Sequence, residues 1–119
     1  MVNHLTDNEV DDFRQKLEKN LGRTRENIER LSGRLSEDTT DPNYNQNYGD
    51  TGMRTQDAER VAELLEHEKI FLTELEQAIS RIENGTYGIC EVSGQPISKK
   101  RLAAKPTATT TIEVARKEG

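Results

Sequence analysis

The sequence predicts a mainly α protein, a long antiparallel helical hairpin of coiled-coil type with a small globular end. Three observations carry that prediction. Two apolar seams at three- and four-residue spacing, one over 10–35 and one over 58–82, flank a turn-rich stretch. Hydrophobic residues make up 31% of the 119 and charged residues 33%, so the stability must come from long helices sharing a narrow apolar stripe. Beyond residue 84 the heptad pattern stops, and Gly, Pro and Thr punctuate the chain.

The first seam is Val10, Phe13, Leu17, Leu21, Thr24, Ile28, Leu31 and Leu35, which predicts a helix from Thr6 to Leu35. Thr6 and Glu9 have the spacing of a capping box. Gly22 and Gly33 each weaken this helix by about 1 kcal/mol relative to Ala, so it needs a partner. The partner is a second helix from Thr55 to Glu83, with Ala58, Val61, Leu65, Leu72, Leu75, Ile79 and Ile82 on its seam and Leu64, Phe71 and Ala78 widening the stripe. Only Glu68 breaks it. A hairpin turning near residue 46 brings Thr24 opposite Glu68, where the pair is either a polar layer fixing register or a seam-edge carboxylate left in water. Helices of this length make a rod of about 45 Å at 1.5 Å per residue.

The connection, expected over about 36–54, carries Pro42, Gly49, Gly52 and three Asn residues. Tyr44, Tyr48 and Met53 are of types enriched at protein interfaces, and they point to a functional tip. Glu37, Asp38, Asp41 and Asp50 make it acidic, as either a contact surface or a solvated loop. The hairpin thus takes residues 1–84 and the globular end 85–119.

Asn84-Gly85 is a helix stop, and Gly88 and Gly94 sit where turns call for positive φ. Lys99, Lys100, Arg101 and Lys105 form a basic cluster, which either meets phosphate or a partner, or snorkels from a short helix over Leu102 and Ala103. Thr107–Val114 is rich in β-branched residues and predicts a short extended segment, with at most a vestigial helix after it.

Composition excludes several function classes. One thiolate, Cys90, with His4 and His67 both distant in sequence, cannot supply the four ligands of structural zinc, so neither metal nor cofactor is expected. Cys90 reads as a small core residue; a reactive thiol is disfavoured because no basic cluster flanks it. A net charge of −5 argues against duplex DNA as the main ligand and for a protein partner. The N-terminus has no leader pattern and no apolar run nears the roughly 20 residues that span a bilayer, so a cytoplasmic protein without membrane contact is expected. No nucleophile-base set or phosphate-cradling Gly loop is present, and no enzyme is expected.

The segment Tyr87-Gly88-Ile89-Cys90, Ile97, Arg101-Leu102 and Pro106-Thr107-Ala108 resembles the C4-type zinc finger of the DksA/TraR family of bacterial RNA polymerase-binding regulators. The likeness extends back along the second helix, about 60 residues in all. In the family frame Cys90, Ser93, Thr111 and Val114 stand at the four zinc-ligand positions, so the resemblance implies a degenerate finger without zinc. It also implies a protein that binds RNA polymerase at the secondary channel, extends its coiled-coil tip towards the catalytic Mg²⁺ and modulates initiation without sequence-specific DNA contact.

The family tip motif Asp-x-x-Asp-x-Ala falls on Asn47, Asp50 and Gly52, keeping one acid, with Tyr44, Tyr48 and Met53 as further tip contacts. Lys99, Lys100, Arg101 and Lys105 would anchor the globular end. The positions that help hold ppGpp in the family read Glu74, Lys105 and Ala115, and a carboxylate facing a polyphosphate predicts a weak ppGpp response or none. Relative to the family prototype, a long N-terminal extension and the C-terminal helix are missing. The rival reading is a coiled-coil scaffold that self-associates or holds another protein. The polymerase reading predicts a monomer and the rival predicts dimers or larger species.

Overall fold

The computed structural model describes residues 4–40 and 55–118. Four helices follow in chain order: α1 Asp7–Thr40, α2 Thr55–Asn84, α3 Lys99–Ala104 and α4 Ile112–Glu118. Among the described residues the only β pairing noted is an isolated antiparallel bridge between Ile89 and Pro96. The chain divides into two compact units, one of Met1–Leu21 with Thr73–Gly119 and one of Gly22–Leu72. The start of α1 pairs with the end of α2 in the first unit, and the rest of α1 with the rest of α2 in the second. That is the antiparallel order of a helical hairpin.

The ends of α1 and α2 follow from local chemistry. The Thr6 backbone N–H donates to Glu9 Oε1 at 2.9 Å and the Glu9 N–H donates to Thr6 Oγ1 at 3.1 Å, completing the capping box. α1 runs five residues beyond the expected Leu35, through Thr40. The segment 36–40 contains neither Gly nor Pro, and the first residue disfavouring helix is Asp41, because it precedes Pro42. α2 ends in a Schellman arrangement: the Gly85 N–H donates to Ile82 O at 3.2 Å and the Thr86 N–H to Arg81 O at 2.9 Å. Gly85 has the φ of 79° that this closure demands.

In the first unit Leu17, Leu75 and Ala78 are fully buried along the helices, and Tyr87, Ile97 and Leu102 fill the space beside them. The Phe13 and Tyr87 rings meet with centroids 5.8 Å apart. In the second unit Leu31, Val61 and Thr24 are the buried seam residues, Thr24 at 3% exposure. Leu64 does not widen the stripe as expected, since it is 48% exposed, whereas Ala78 is buried and Phe71 half-buried.

Glu68 also takes a different partner from the one expected. Its Oε1 accepts from Asn27 Nδ2 at 3.0 Å, one turn beyond Thr24.

The expected extended segment over Thr107–Val114 is interrupted by α4, which begins at Ile112. Thr111 acts as its cap, with Oγ1 accepting from the Val114 N–H at 3.4 Å and the carbonyl from the Ala115 N–H at 3.0 Å. Strand propensity needs a neighbouring strand to take effect, whereas a cap needs only the chain that follows. Among the described residues no helix is long and apolar enough to cross a membrane.

Candidate functional site

The segment from Tyr87 to Thr111 is built on a tight turn. The Cys90 N–H donates to Gln95 O at 2.8 Å, the Gly94 N–H to Cys90 O at 2.9 Å and the Ile97 N–H to Gly88 O at 2.7 Å. Gly88 and Gly94 hold φ values of 86° and 74°, as the spacing predicts. The Gly88 position is also crowded, because a Cβ there would lie 3.0 Å from Leu5 Cδ1. The downstream strand of chain is tied back onto this turn. Tyr87 OH donates to Pro106 O at 2.8 Å, the Glu91 N–H to Thr109 O at 2.9 Å and Arg101 Nε to Thr110 O at 2.8 Å. Burial pushes the Tyr87 hydroxyl up to about 12, with nearby Arg81 opposing.

The Cys90 side chain is 2% exposed. Burial alone raises its pKa, but hydrogen bonds from the Ser93 side chain and from the backbone N–H groups of Ser93, Thr111 and Val92 outweigh it, leaving the thiol at about 6. The Ser93 N–H lies 3.4 Å from Sγ. A thiol was expected to keep its ordinary value without a basic neighbour. The turn supplies oriented amides in place of a cation, a feature that depends on backbone conformation and leaves no compositional mark.

The four positions singled out by the sequence do come together. Cys90 takes N–H groups from Ser93 and Thr111, and Ser93, Thr111 and Val114 line one groove of about 470 Å³ with Gln95, Pro96 and Lys117. Their chemistry does not fit zinc. Ser93 Oγ accepts from the Gln95 N–H at 3.3 Å, Thr111 Oγ1 is the cap of α4, and Val114 has no donor atom. One sulfur with amides already pointing at it is not a tetrahedral ligand set. Hydrogen bonding and packing close this turn.

The basic cluster is divided by the fold. Lys99 Nζ pairs with Glu9 Oε2 at 2.9 Å, so Glu9 both caps α1 and ties it to the first residue of α3. The Thr6 N–H first, and then Lys99, hold the Glu9 carboxyl below its ordinary range. The Ser98 hydroxyl caps α3 by accepting from the Arg101 N–H at 3.1 Å. Arg101 is half-buried with Nε spent on Thr110, whereas Lys100 and Lys105 are exposed. Lys105 lines a second groove, of about 210 Å³, with Glu74, Arg81, Glu91, Arg101 and the hydroxyl residues Thr107, Thr109 and Thr110. Ala115 does not line it.

A further contact that sequence spacing could not signal is His4 Nε2 to Ile97 O at 2.6 Å, joining residues 93 apart. The tip positions Tyr44, Asn47, Tyr48, Asp50 and Met53 lie outside the described residues.

With this geometry in hand, the likeness to known proteins is specific. Residues 85–118 match the prokaryotic dksA/traR C4-type zinc finger. The uncharacterized protein YteA of Bacillus subtilis is 46% identical over 70 residues, which are 59% of this chain and 29% of YteA. The RNA polymerase-binding transcription factor DksA of Caulobacter vibrioides is 31% identical over 116 residues, 92% of this chain and 75% of that protein. The structure of transcription factor DksA2 from Pseudomonas aeruginosa superposes with a TM-score of 0.82 at 29% identity, covering 97% of this chain and 86% of that one. A helical hairpin order, a finger turn retaining Cys90 alone, and relatedness over nearly the whole chain lead to one conclusion: this protein belongs to the DksA/TraR family, as a divergent member whose finger has lost three of its four cysteines.

Proposed function

We propose that the protein is a cytoplasmic transcription regulator that binds RNA polymerase at its secondary channel and modulates initiation through the tip of its helical hairpin. The observation that carries this reading is the 31% identity to an RNA polymerase-binding transcription factor across 92% of the chain, beside a fold that superposes on transcription factor DksA2. In this reading Asp50 and Asn47 approach the polymerase active centre, with Tyr44, Tyr48 and Met53 as contacts beside them. Lys100 and Lys105, exposed members of the basic cluster, meet the polymerase directly. Lys99 and Arg101 support them by holding α3 in place, given their bonds to Glu9 and Thr110.

The protein works on a catalytic site belonging to its partner, as a monomer, with no sequence-specific DNA contact and no chemistry of its own. Glu74 in the groove beside Lys105 opposes a polyphosphate, so the response to ppGpp is weak or nil. Purified polymerase core should retain the protein, and an excess of another secondary-channel factor should displace it. Asp50→Asn should keep this binding while losing the effect on initiation in a purified transcription assay. Retention that no channel factor displaces would move the site elsewhere on the polymerase. No retention, together with a mass that grows with concentration, would replace this reading with a self-associating scaffold.

A further inference from the structure

The hydrogen bond from Asn27 Nδ2 to Glu68 Oε1 at 3.0 Å crosses from α1 to α2 on one side of their seam, and Arg30 Nη2 joins it by donating to Asn27 Oδ1 at 3.2 Å. Residues three and four places apart share a face of a helix, so this bond identifies what else stands on that side of the second unit. On α1 these are Arg23, four residues before Asn27, and Arg30, three after it, with Arg34 one turn further on. On α2 they are Leu64 and Phe71, four before and three after Glu68, with Arg60 one turn before Leu64. All four arginines are exposed, Leu64 is 48% exposed and Phe71 is half-buried.

This side reverses the character of the chain. In a protein of net charge −5 it presents four guanidinium groups around two large apolar side chains. Glu68 is spent on Asn27, and Glu26 and Asp57 stand at the borders. The buried seam of this unit is made by Leu31, Val61 and Thr24, which leaves the Leu64 face to water. An exposed leucine beside a half-buried phenylalanine offers apolar area to a partner, and the arginines around them set the sign of charge that partner must carry.

We propose that this side of the second unit docks an amphipathic helix of another protein, one whose apolar stripe is flanked by acidic side chains. Leu64 and Phe71 lie about 10 Å apart along the axis at 1.5 Å per residue, so a third helix laid beside the two meets both with apolar residues at the same spacing. Carboxylates next to that stripe pair with Arg23, Arg30, Arg34 and Arg60, whose planar guanidinium groups take a carboxylate through two parallel bonds. A helix with basic flanks meets four like charges and is rejected. The surface lies within Gly22–Leu72, and its argument does not depend on that other protein being a polymerase.

The test uses the full chain as bait for a displayed library of helical peptides about 20 residues long, each with two leucines at the Leu64–Phe71 spacing and flanking positions randomised between Glu and Lys. The native protein should enrich glutamate at the flanks. Leu64→Glu should weaken a selected peptide about tenfold or more, with the urea unfolding midpoint unchanged. Arg23→Glu with Arg60→Glu should shift the enrichment from glutamate to lysine, a reversal that a merely unfolded variant cannot give. Lysine enrichment by the native protein, no enrichment, or equal binding by Leu64→Glu overturns the proposal. So does a mass that grows with concentration and reverts in Leu64→Glu, which gives the face to a second copy of the chain. Retention on phosphatidylglycerol vesicles that Leu64→Glu abolishes gives it to a lipid surface and overturns the proposal as well.

Discussion

The two units of this molecule are held by different means. In the unit of Met1–Leu21 with Thr73–Gly119, fully buried Leu17, Leu75, Tyr87, Ile97 and Leu102 are combined with backbone turns that tolerate little change. In the unit of Gly22–Leu72, two helices share a thin seam of Leu31, Val61 and Thr24, and Gly22 and Gly33 face open space. The first unit should therefore be sensitive to single substitutions, and the second should have room for improvement. A finger that has given up its metal must replace ligand bonds with packing and hydrogen bonds, and that requirement falls wholly on the first unit.

The largest contrast should come from truncation. Leu102→Ala in the first unit should cost about 2–5 kcal/mol, whereas exposed Leu64→Ala in the second should stay within about 0.5 kcal/mol, measured by urea unfolding. Equal losses would mean that the seam carries as much as the globular core. Gly88→Ala should cost at least about 1–2 kcal/mol from its left-handed φ, with the approach of Leu5 adding to it. Gly22→Ala and Gly33→Ala, with nothing near the new methyl group, should each stabilise by about 0.5–1 kcal/mol. A shared sign at Gly88 and Gly22 would break the comparison. Tyr87→Phe removes the bond to Pro106 and should cost about 1 kcal/mol.

A pH dependence gives the comparison a separate readout. The Cys90 thiol sits at about 6 in the folded protein against an ordinary 9.0, so between those values the unfolded chain binds more protons. Stability from this group is fully present above pH 9 and is lost as pH falls through 6. Melting temperature should rise from pH 6 to 9 in the native protein, and Cys90→Ser should remove that part of the slope. An unchanged slope would show that the amides around Cys90 serve the turn alone. Tyr87 acts in the opposite sense at higher pH, its stabilisation being present below 10 and lost as pH rises through about 12.

Much of this was legible because it is local. The Thr6–Glu9 box, the Gly85 stop and the positive φ of Gly88 and Gly94 each depend on residues a few places apart. The two helices were readable from seam periodicity, although α1 runs five residues past the last seam residue. The start of α4 was missed because β-branched Thr107–Val114 was read for strand propensity, while Thr111 used its hydroxyl as a cap. The candidate site was partly legible. Cys90, Ser93, Thr111 and Val114 were placed together by family likeness, but the division of the basic cluster was not, since it depends on Glu9 and Thr110.

The sequence by itself determined the helical hairpin, its caps, the turn glycines and the absence of a zinc ligand set, because each follows from residue type and short-range spacing. Only the tertiary structure decided that Glu68 pairs with Asn27, that Lys99 is spent on Glu9, that His4 reaches Ile97, and that backbone amides gather on the Cys90 sulfur. Those contacts join residues up to 93 positions apart or depend on the direction of an N–H bond. Neither quantity is set by residue type or spacing, and both appear only when the elements have packed.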